Sequence, residues 1–253
     1  MSNIALFTLK NVSKTFPARE GKRGMHVLND INLTVHEGEF LLLLGPSGCG
    51  KSTLLRIITG LETHTHGTIE FHKNQGLPLD INDVSFVFQN FGLMPWLTVE
   101  KNVELGLIGR KVSEAEIKEK VKNILVKFGL ADFAQYRPRD LSGGMRQRVG
   151  LARAFVTEPK IIFLDEPFSE LDFFTAEGLR QILLDMWNER KMTIVMVSHY
   201  IEEAVLLADR IAVFSDRPGT ILEIVKDELP RPRDHRSTEF FKLEDEVLSK
   251  FKK

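Results

Sequence analysis

Residues 45–53 read Gly45-Pro46-Ser47-Gly48-Cys49-Gly50-Lys51-Ser52-Thr53, which fits the pattern G-x-x-x-x-G-K-[ST] of a phosphate-binding loop. The apolar run before it, Phe40–Leu44, has the length of a buried strand. The residues after it, Leu54–Ile58, can continue as a helix until Gly60 ends it. Strand, glycine loop and helix are the context that this pattern requires, so the sequence predicts nucleotide binding here.

The residue types in this loop suit the binding of a triphosphate. Gly48 and Gly50 let backbone N–H groups turn inward, and the start of the helix adds partial positive charge. Lys51 is expected to reach the β- and γ-phosphates, and the Ser52 hydroxyl to ligate Mg²⁺. Cys49 is expected to be a small residue that fits the loop and not a nucleophile. The alternative to a phosphate-binding loop is a glycine turn that happens to precede a lysine.

Composition narrows the class of protein. Lys and Arg number 34 and Asp and Glu 35, so the overall charge gives no attraction to nucleic acid. Cys49 is the only cysteine, which argues against a disulfide framework and a cysteine metal site and fits a reducing cytosol. The first residues lack the pattern of a signal peptide, and no run of apolar residues is long enough to span a membrane.

Hydrophobic patterning predicts an α/β chain. Strands are expected at Ile4–Val12, Val27–Val35, Gly67–Phe71, Val84–Gln89, Lys160–Asp165, Met192–Ser198, Arg210–Phe214 and Ile221–Val225. Helices are expected at Val99–Gly109, Ser113–Gly129, from Ser142 toward Thr157, and at Phe173–Glu189, Tyr200–Ala208 and Phe240–Phe251. The mostly helical block at about 91–158 is therefore predicted to be inserted into an α/β core.

A second anion-binding helix start is predicted at Leu141–Arg148. Ser142 can cap the helix, and Gly143 and Gly144 leave its first amides accessible to an anion.

Polar residues at the ends of three predicted strands complete the candidate site. Asp165 is placed to hold Mg²⁺ through water, and Glu166 to orient or deprotonate an attacking water. His199 could support the γ-phosphate, and Gln89 could contact Mg²⁺ or the water. Each of these residues taken singly has a structural or surface alternative, so the prediction depends on the whole set.

In this combination the chain resembles the nucleotide-binding subunit of an ABC transporter, over roughly Phe7 to Asp234. The motifs follow the order of that family: phosphate loop Gly45–Thr53, Q-loop Gln89, signature Leu141–Gln147, acidic strand Ile161–Glu166, D-loop Ser169–Asp172 and switch His199. The resemblance implies a P-loop NTPase core of ABC type with an antiparallel β subdomain and an inserted α-helical subdomain. It also implies ATP and Mg²⁺ as ligands.

The resemblance assigns further roles. Phe16 would stack on adenine in place of the tyrosine usual in the family, and Ser142, Gly143, Gly144 and Gln147 would contact ATP. Glu170 stands where the family usually has alanine and would add a carboxylate near the dimer seam. The ATPase domain would span 4–234, with a tail at 235–253 that contains a short helix.

Partners are likewise implied by the resemblance. Two subunits would pair head to tail, each ATP lying between the phosphate loop of one and the signature of the other. Segment Phe91–Val99 would receive a helix from a membrane permease, with Met94 and Trp96 as anchors. The alternative is that both side chains only pack the helical subdomain. Pairing with itself or with a paralogue stays open.

Three phrases resemble the nitrate, sulfonate and taurine import branch: Leu93–Val103, Ser215–Ile221 and Leu229–Asp234. Members act peripherally at the cytoplasmic face of the membrane and receive solute from an extracytoplasmic binding protein. The sequence does not name the solute, and segment Lys73–Asp83 has no close match. An exporter or lipid-transport ATPase is discounted only by this branch resemblance.

Two other classes fit less well. A soluble ABC ATPase acting on nucleic acid or the ribosome usually carries two modules or a long coiled-coil insert, and this chain has neither. A P-loop kinase has no place for the signature Leu141–Gln147.

Overall fold

A computed structural model describes residues 4–18, 24–72, 80–169 and 171–251. The chain forms two compact units, one of Met1–Leu79 with Thr193–Lys253 and one of Asp80–Met192. The second unit contains the helical block predicted at about 91–158. Glu170 and most of the unmatched segment Lys73–Asp83 lie outside the described residues.

The described elements alternate between strands and helices. The strands are β1 (Ala5–Phe16), β2 (Met25–His36), β3 (Phe40–Leu44), β4 (His66–Phe71), β5 (Val84–Val87), β6 (Ile161–Asp165), β7 (Thr193–Ser198), β8 (Arg210–Phe214) and β9 (Ile221–Lys226). The helices are α1 (Lys51–Ile58), α2 (Val99–Glu104), α3 (Glu114–Lys127), α4 (Gly143–Phe155), α5 (Phe173–Arg190), α6 (Ile201–Leu207) and α7 (Thr238–Lys250). The predicted α/β class is confirmed.

An antiparallel sheet with strand order β2-β1-β4 forms the small β part of the first unit. The prediction that β1 ends at Val12 is wrong, because the strand continues to Phe16. Its register with β2 shifts between Leu9 and Val12, and Asn11 has a φ of 50°. Such a bulge breaks the alternation of buried and exposed residues, which is why the sequence pattern stops there.

A second sheet in the first unit has parallel strands β7, β3 and β8, with β9 antiparallel to β8. Every residue of β3 and β7 is buried, as expected for parallel strands covered on both faces. Leu44 pairs with Ser198 in register. The carboxyl ends of β3 and β7 therefore bring Gly45 and His199 to the same edge.

Among the described residues, three helices complete the first unit. α1 begins at Lys51, within the phosphate loop, and α6 packs on β3 and β7. The helix predicted in the tail is confirmed as α7, which packs on α6 and β9. Its buried residues, Phe240, Leu243 and Val247, lie on one side at helical spacing.

The second unit combines parallel strands β5 and β6 with helices α2 to α5. The cap predicted for α4 is confirmed, because Ser142 Oγ accepts the N–H of Met145. At the start of α3, Ser113 Oγ accepts the N–H of Glu116 in the same way. The helix predicted at Val99–Gly109 is shorter than expected: α2 ends at Glu104, and a 3-10 turn follows at Leu105–Leu107. A glycine interior to a helix is unfavourable, and Gly106 lies in this turn.

Among the described helices, none combines the length and apolar character needed to cross a membrane.

Candidate functional site

The phosphate loop of the first unit has the backbone form that the sequence predicts. Gly48 and Gly50 have φ of +79° and +113°, and Gly50 is the N-cap of α1. A side chain at either position would be strained. At Gly48 a Cβ would meet nothing within 4 Å, so this side of the loop is open to a ligand.

The Lys51 side chain lies inside this loop. Its ammonium donates to the carbonyls of Gly45 and Pro46, with N–O distances of 2.6 and 2.9 Å. The Cys49 thiol is also buried, and burial raises its pKa. A thiol with a raised pKa is a poor nucleophile, in line with the structural role expected for Cys49.

Gly219 is a residue of this site that sequence reasoning missed. Its N–H donates to the carbonyl of Val27 at 2.8 Å, and its carbonyl accepts the N–H of Asn29 at 2.9 Å. A Cβ at Gly219 would lie 2.2 Å from the carbonyl oxygen of Cys49. The turn before β9 therefore presses against the phosphate loop, and a Pro-Gly turn was the only sequence signal for it.

Replacing Gly219 by Ala is expected to raise the Kd for ATP by roughly ten-fold, because overpacking of this kind costs about 1–3 kcal/mol. Isothermal titration measures the effect. The matched control is Gly178→Ala in α5, where a Cβ would meet nothing within 4 Å. An unchanged Kd for Gly219→Ala would show that the turn before β9 does not influence ATP binding at the phosphate loop.

His199 follows β7, and the turn that carries it is anchored by its neighbours. Ser198 Oγ donates to Glu203 Oε2 at 2.6 Å and accepts the N–H of Tyr200 at 3.1 Å. Ser198 and Glu203 are buried, and His199 is half-buried. Sequence reasoning found His199 but missed this pair, whose signal is an acid five residues after the strand end.

In the second unit, the structure brings Gln89 and Glu166 together. Gln89 Nε2 donates to Glu166 Oε2 at 3.5 Å. Their strands run side by side, with Val87 opposite Leu164. Asp165 ends β6 and is buried, whereas Glu166 has a φ of 48° and remains partly exposed.

The signature segment borders a cavity of about 430 Å³ in the same unit. Ser142, Gly143 and Gly144 line it, together with the D-loop residues Leu171 and Asp172. The amides at the start of α4 thus border a space of ligand size.

Gln147 does not line this cavity, although the resemblance assigns it to ATP. Its side chain is 1% exposed, and neither its Nε2 nor its Oε1 has a hydrogen-bond partner among the described residues. Its role stays a prediction.

Segment Phe91–Val99 is held by two side chains. Arg153 donates to the carbonyls of Phe91 and Gly92, and the buried Asn102 side chain bonds both the N–H and the carbonyl of Met94. Trp96 is nevertheless 66% exposed. The backbone of this segment is therefore fixed, while the Trp96 indole is exposed. This exposure argues against the alternative that Trp96 only packs this unit.

Comparison with known proteins identifies a family. The family model described as "ABC transporter" matches residues 28–169. A protein of Bacillus licheniformis, "Aliphatic sulfonates import ATP-binding protein SsuB", is 44% identical and covers 89% of this chain and 87% of its own length. "Nitrate import ATP-binding protein NrtD" of Synechocystis sp. is 43% identical, covering 90% of each chain.

Solved structures of ATP-binding cassettes are also similar to this chain. The cassette MJ0796, solved as a dimer in a post-hydrolysis state bound to ADP and Pi, is 36% identical with a TM-score of 0.77. It is covered completely and covers 88% of this chain. A second dimeric structure of the same cassette has a TM-score of 0.78.

Proposed function

The chain belongs to the ABC transporter family, and we propose that it is the ATP-hydrolysing subunit of an importer for a small anion. One observation carries the solute class: the relatives named for aliphatic sulfonates and for nitrate have nearly the same identity, 44% and 43%. Both solutes are small oxyanions, and taurine is itself a sulfonate. The same import names favour uptake over export, and the ATPase domain is assigned to 4–234.

We assign the chemistry to the residues of the family motifs. The phosphate loop amides and Lys51 hold the triphosphate, and His199 supports the γ-phosphate. Glu166 deprotonates or orients water, and its partial exposure gives water access to its carboxylate. Its contact with Gln89 would hold the carboxylate in position.

Mg²⁺ is proposed as the metal of this site. Its ligands would be the Ser52 hydroxyl, the Gln89 amide oxygen and, through water, the Asp165 carboxylate. These are all oxygen donors, which Mg²⁺ prefers. When bound, Mg²⁺ would neutralise charge on the phosphates.

The working form is proposed to be a head-to-tail dimer, because the related cassette was solved as a dimer. Ser142, Gly143 and Gly144 of one copy would face the ATP held by its partner. The cavity of about 430 Å³ beside them supports this arrangement, since it leaves room for a phosphate group at the start of α4.

The dimer is proposed to sit under a membrane permease at the cytoplasmic face, with an extracytoplasmic protein delivering the solute. To test this, the chain is extracted from native membranes in mild detergent and its companions are identified by mass spectrometry. Recovery of a multi-span permease is the expected result. Recovery only in the soluble fraction, alone or with ribosomes, would overturn the transporter assignment and leave the ATPase assignment standing.

Trp96→Ala is expected to reduce permease recovery several-fold, because exposed tryptophans are frequent anchors of interfaces. The Kd for ATP should not change. Co-purification and isothermal titration measure the two effects separately.

Tyr136→Ala serves as the matched control, since Tyr136 is also an exposed aromatic residue of the second unit. Equal loss of permease and of ATP binding in Trp96→Ala would contradict the assignment, because it would indicate that Trp96 supports the fold.

A further inference from the structure

Lys14 is a buried lysine that no sequence motif accounts for. It is 6% exposed. Its ammonium donates to Glu62 Oε1 at 2.8 Å and to the carbonyl of Thr63 at 2.6 Å. The same ammonium lies 4.6 Å from the centre of the Phe16 ring, which is within the range of a cation–π contact.

Lys14 reaches this position because β1 is irregular. The register with β2 shifts on both sides of Lys14, and three consecutive residues, Val12, Ser13 and Lys14, are buried. Phe16 stands two residues further along the strand, and the Lys14 ammonium lies over its ring. Lys14 therefore covers one face of a ring that stays partly exposed.

Glu62 connects this pair to the helix that follows the phosphate loop. The N–H groups of Leu61 and Glu62 both donate to the carbonyl of Arg56 in α1, at 2.8 and 3.0 Å. The hydrogen bond from Lys14 lowers the pKa of Glu62, so the carboxylate is charged at neutral pH. The Lys14 ammonium is thus held by a carboxylate whose own backbone is hydrogen-bonded to α1.

The strand register also places Phe16 near the phosphate loop. Phe16 pairs with Met25, and Lys14 pairs with Leu28. A Cβ on Gly50 would lie 2.7 Å from the Leu28 side chain. The end of β1 that carries Phe16 and the loop that carries Gly50 are therefore both packed on the same stretch of β2.

We infer that Lys14 is a positioning residue, which fixes the Phe16 ring so that its opposite face stacks on the base of bound ATP. The inference rests on the proposed function and adds to it the residue that prepares the base-binding surface.

Two physical effects support the inference. A ring held by a cation on one face loses less conformational freedom when a base stacks on the other. The cation also draws electron density from the ring, which favours contact with an electron-rich purine. Both effects act on the base and not on the phosphates.

The test compares binding of ATP and of inorganic tripolyphosphate to the full chain by isothermal titration. Phe16→Ala is expected to weaken ATP binding roughly ten-fold or more, the usual loss for one base stacked on an aromatic ring. Lys14→Met is expected to weaken it about two- to five-fold. Neither change should alter binding of tripolyphosphate, which has no base. In the Phe16→Ala background, Lys14→Met should have no further effect.

Three more variants separate positioning from folding. Lys14→Arg keeps the cation and should retain near wild-type affinity for ATP. Lys14→Gln keeps a donor toward Glu62 without the charge and should resemble Lys14→Met. If Lys14→Met does not fold, Lys14→Gln takes its place. Lys10→Met removes an exposed lysine of β1 that pairs with Glu70 of the neighbouring strand β4 at 2.7 Å, and it should have no effect.

The outcomes are distinct. Unchanged ATP binding in the neutral variants, or equal weakening for ATP and tripolyphosphate, would overturn the inference. If the wild-type chain binds neither compound, the proposed function itself fails.

Discussion

Replacing Glu166 by Gln is expected to lower kcat for ATP hydrolysis by about 10²–10⁴-fold, the usual contribution of general base catalysis. Gln has nearly the same shape as Glu but cannot take a proton from water. The Kd for ATP should stay near the wild-type value, because Glu166 is not assigned to phosphate binding. Steady-state hydrolysis and isothermal titration measure the two quantities.

The contacts that hold the turn at Glu166 make the result of this substitution easy to interpret. Glu166 has a left-handed φ of 48°, and Ser169 holds the turn through its N–H and Oγ, which lie 3.4 and 3.1 Å from the Glu166 carbonyl. Both groups donate to the backbone carbonyl of Glu166 and not to its side chain, so the contacts survive the substitution. Loss of activity would therefore report the missing base and not a rearranged turn.

A second measurement on the same variant tests the dimer. If ATP closes two copies and hydrolysis opens them, Glu166→Gln should accumulate as a dimer in ATP during size-exclusion chromatography. A variant that stays monomeric at every ATP concentration would contradict simple closure. Glu189→Gln, an exposed acid of α5 that pairs with Lys127, is the matched control and should behave as wild type.

The local parts of the site could be predicted from the sequence because short-range rules determine them. The glycines of the phosphate loop, the Ser142 cap and the acid that ends β6 each depend on residues within a few positions. Their geometry follows once the neighbouring strand or helix is recognised.

The parts that could not be predicted depend on contacts between distant segments. Gly219 touches Cys49 across 170 positions, and only the folded sheet brings them together. Lys14 is buried because a bulge at Asn11 changes which residues of β1 face inward. A bulge leaves no clear mark in the hydrophobic pattern, so both the strand end and the lysine were missed.

Arg231 and Arg233 show the same limitation. The sequence of Leu229–Asp234 shows only a branch resemblance and assigns no role to its arginines. In the structure, Arg231 donates to the carbonyl of Leu207, and Arg233 to those of Val205 and Ala208. Leu229–Asp234, here called the C-terminal segment, thus satisfies the last carbonyls of α6, the helix that begins two residues after His199.

Asp227→Ala is expected to destabilise the chain by about 3–5 kcal/mol, the usual cost of leaving a buried charge without its partner. Asp227 Oδ2 lies 3.0 Å from Arg233 Nη1, with both side chains almost wholly buried. Urea denaturation of the full chain measures the loss. Glu70→Ala, which breaks the exposed pair with Lys10, is the control and should cost at most about 1 kcal/mol.

The pKa shifts of this pair show why deleting one partner differs from replacing both. Burial raises the pKa of Asp227 to about 6 and lowers that of Arg233 to about 10, so desolvation outweighs the attraction between the two charges. Because the folded-state pKa of Asp227 is raised, its stabilising contribution is present below about pH 4 and is lost as the pH rises through 6.

The charged pair should therefore be replaceable by apolar residues. Asp227→Leu combined with Arg233→Met is expected to recover most of the stability that Asp227→Ala loses, since apolar substitution of buried pairs is often neutral. The double variant also removes the Arg233 contacts with the end of α6. If it recovers stability but hydrolyses ATP more slowly than wild type, the C-terminal segment supports the His199 helix through these contacts. If the double variant is as unstable as Asp227→Ala, the pair contributes net attraction and the desolvation argument is wrong.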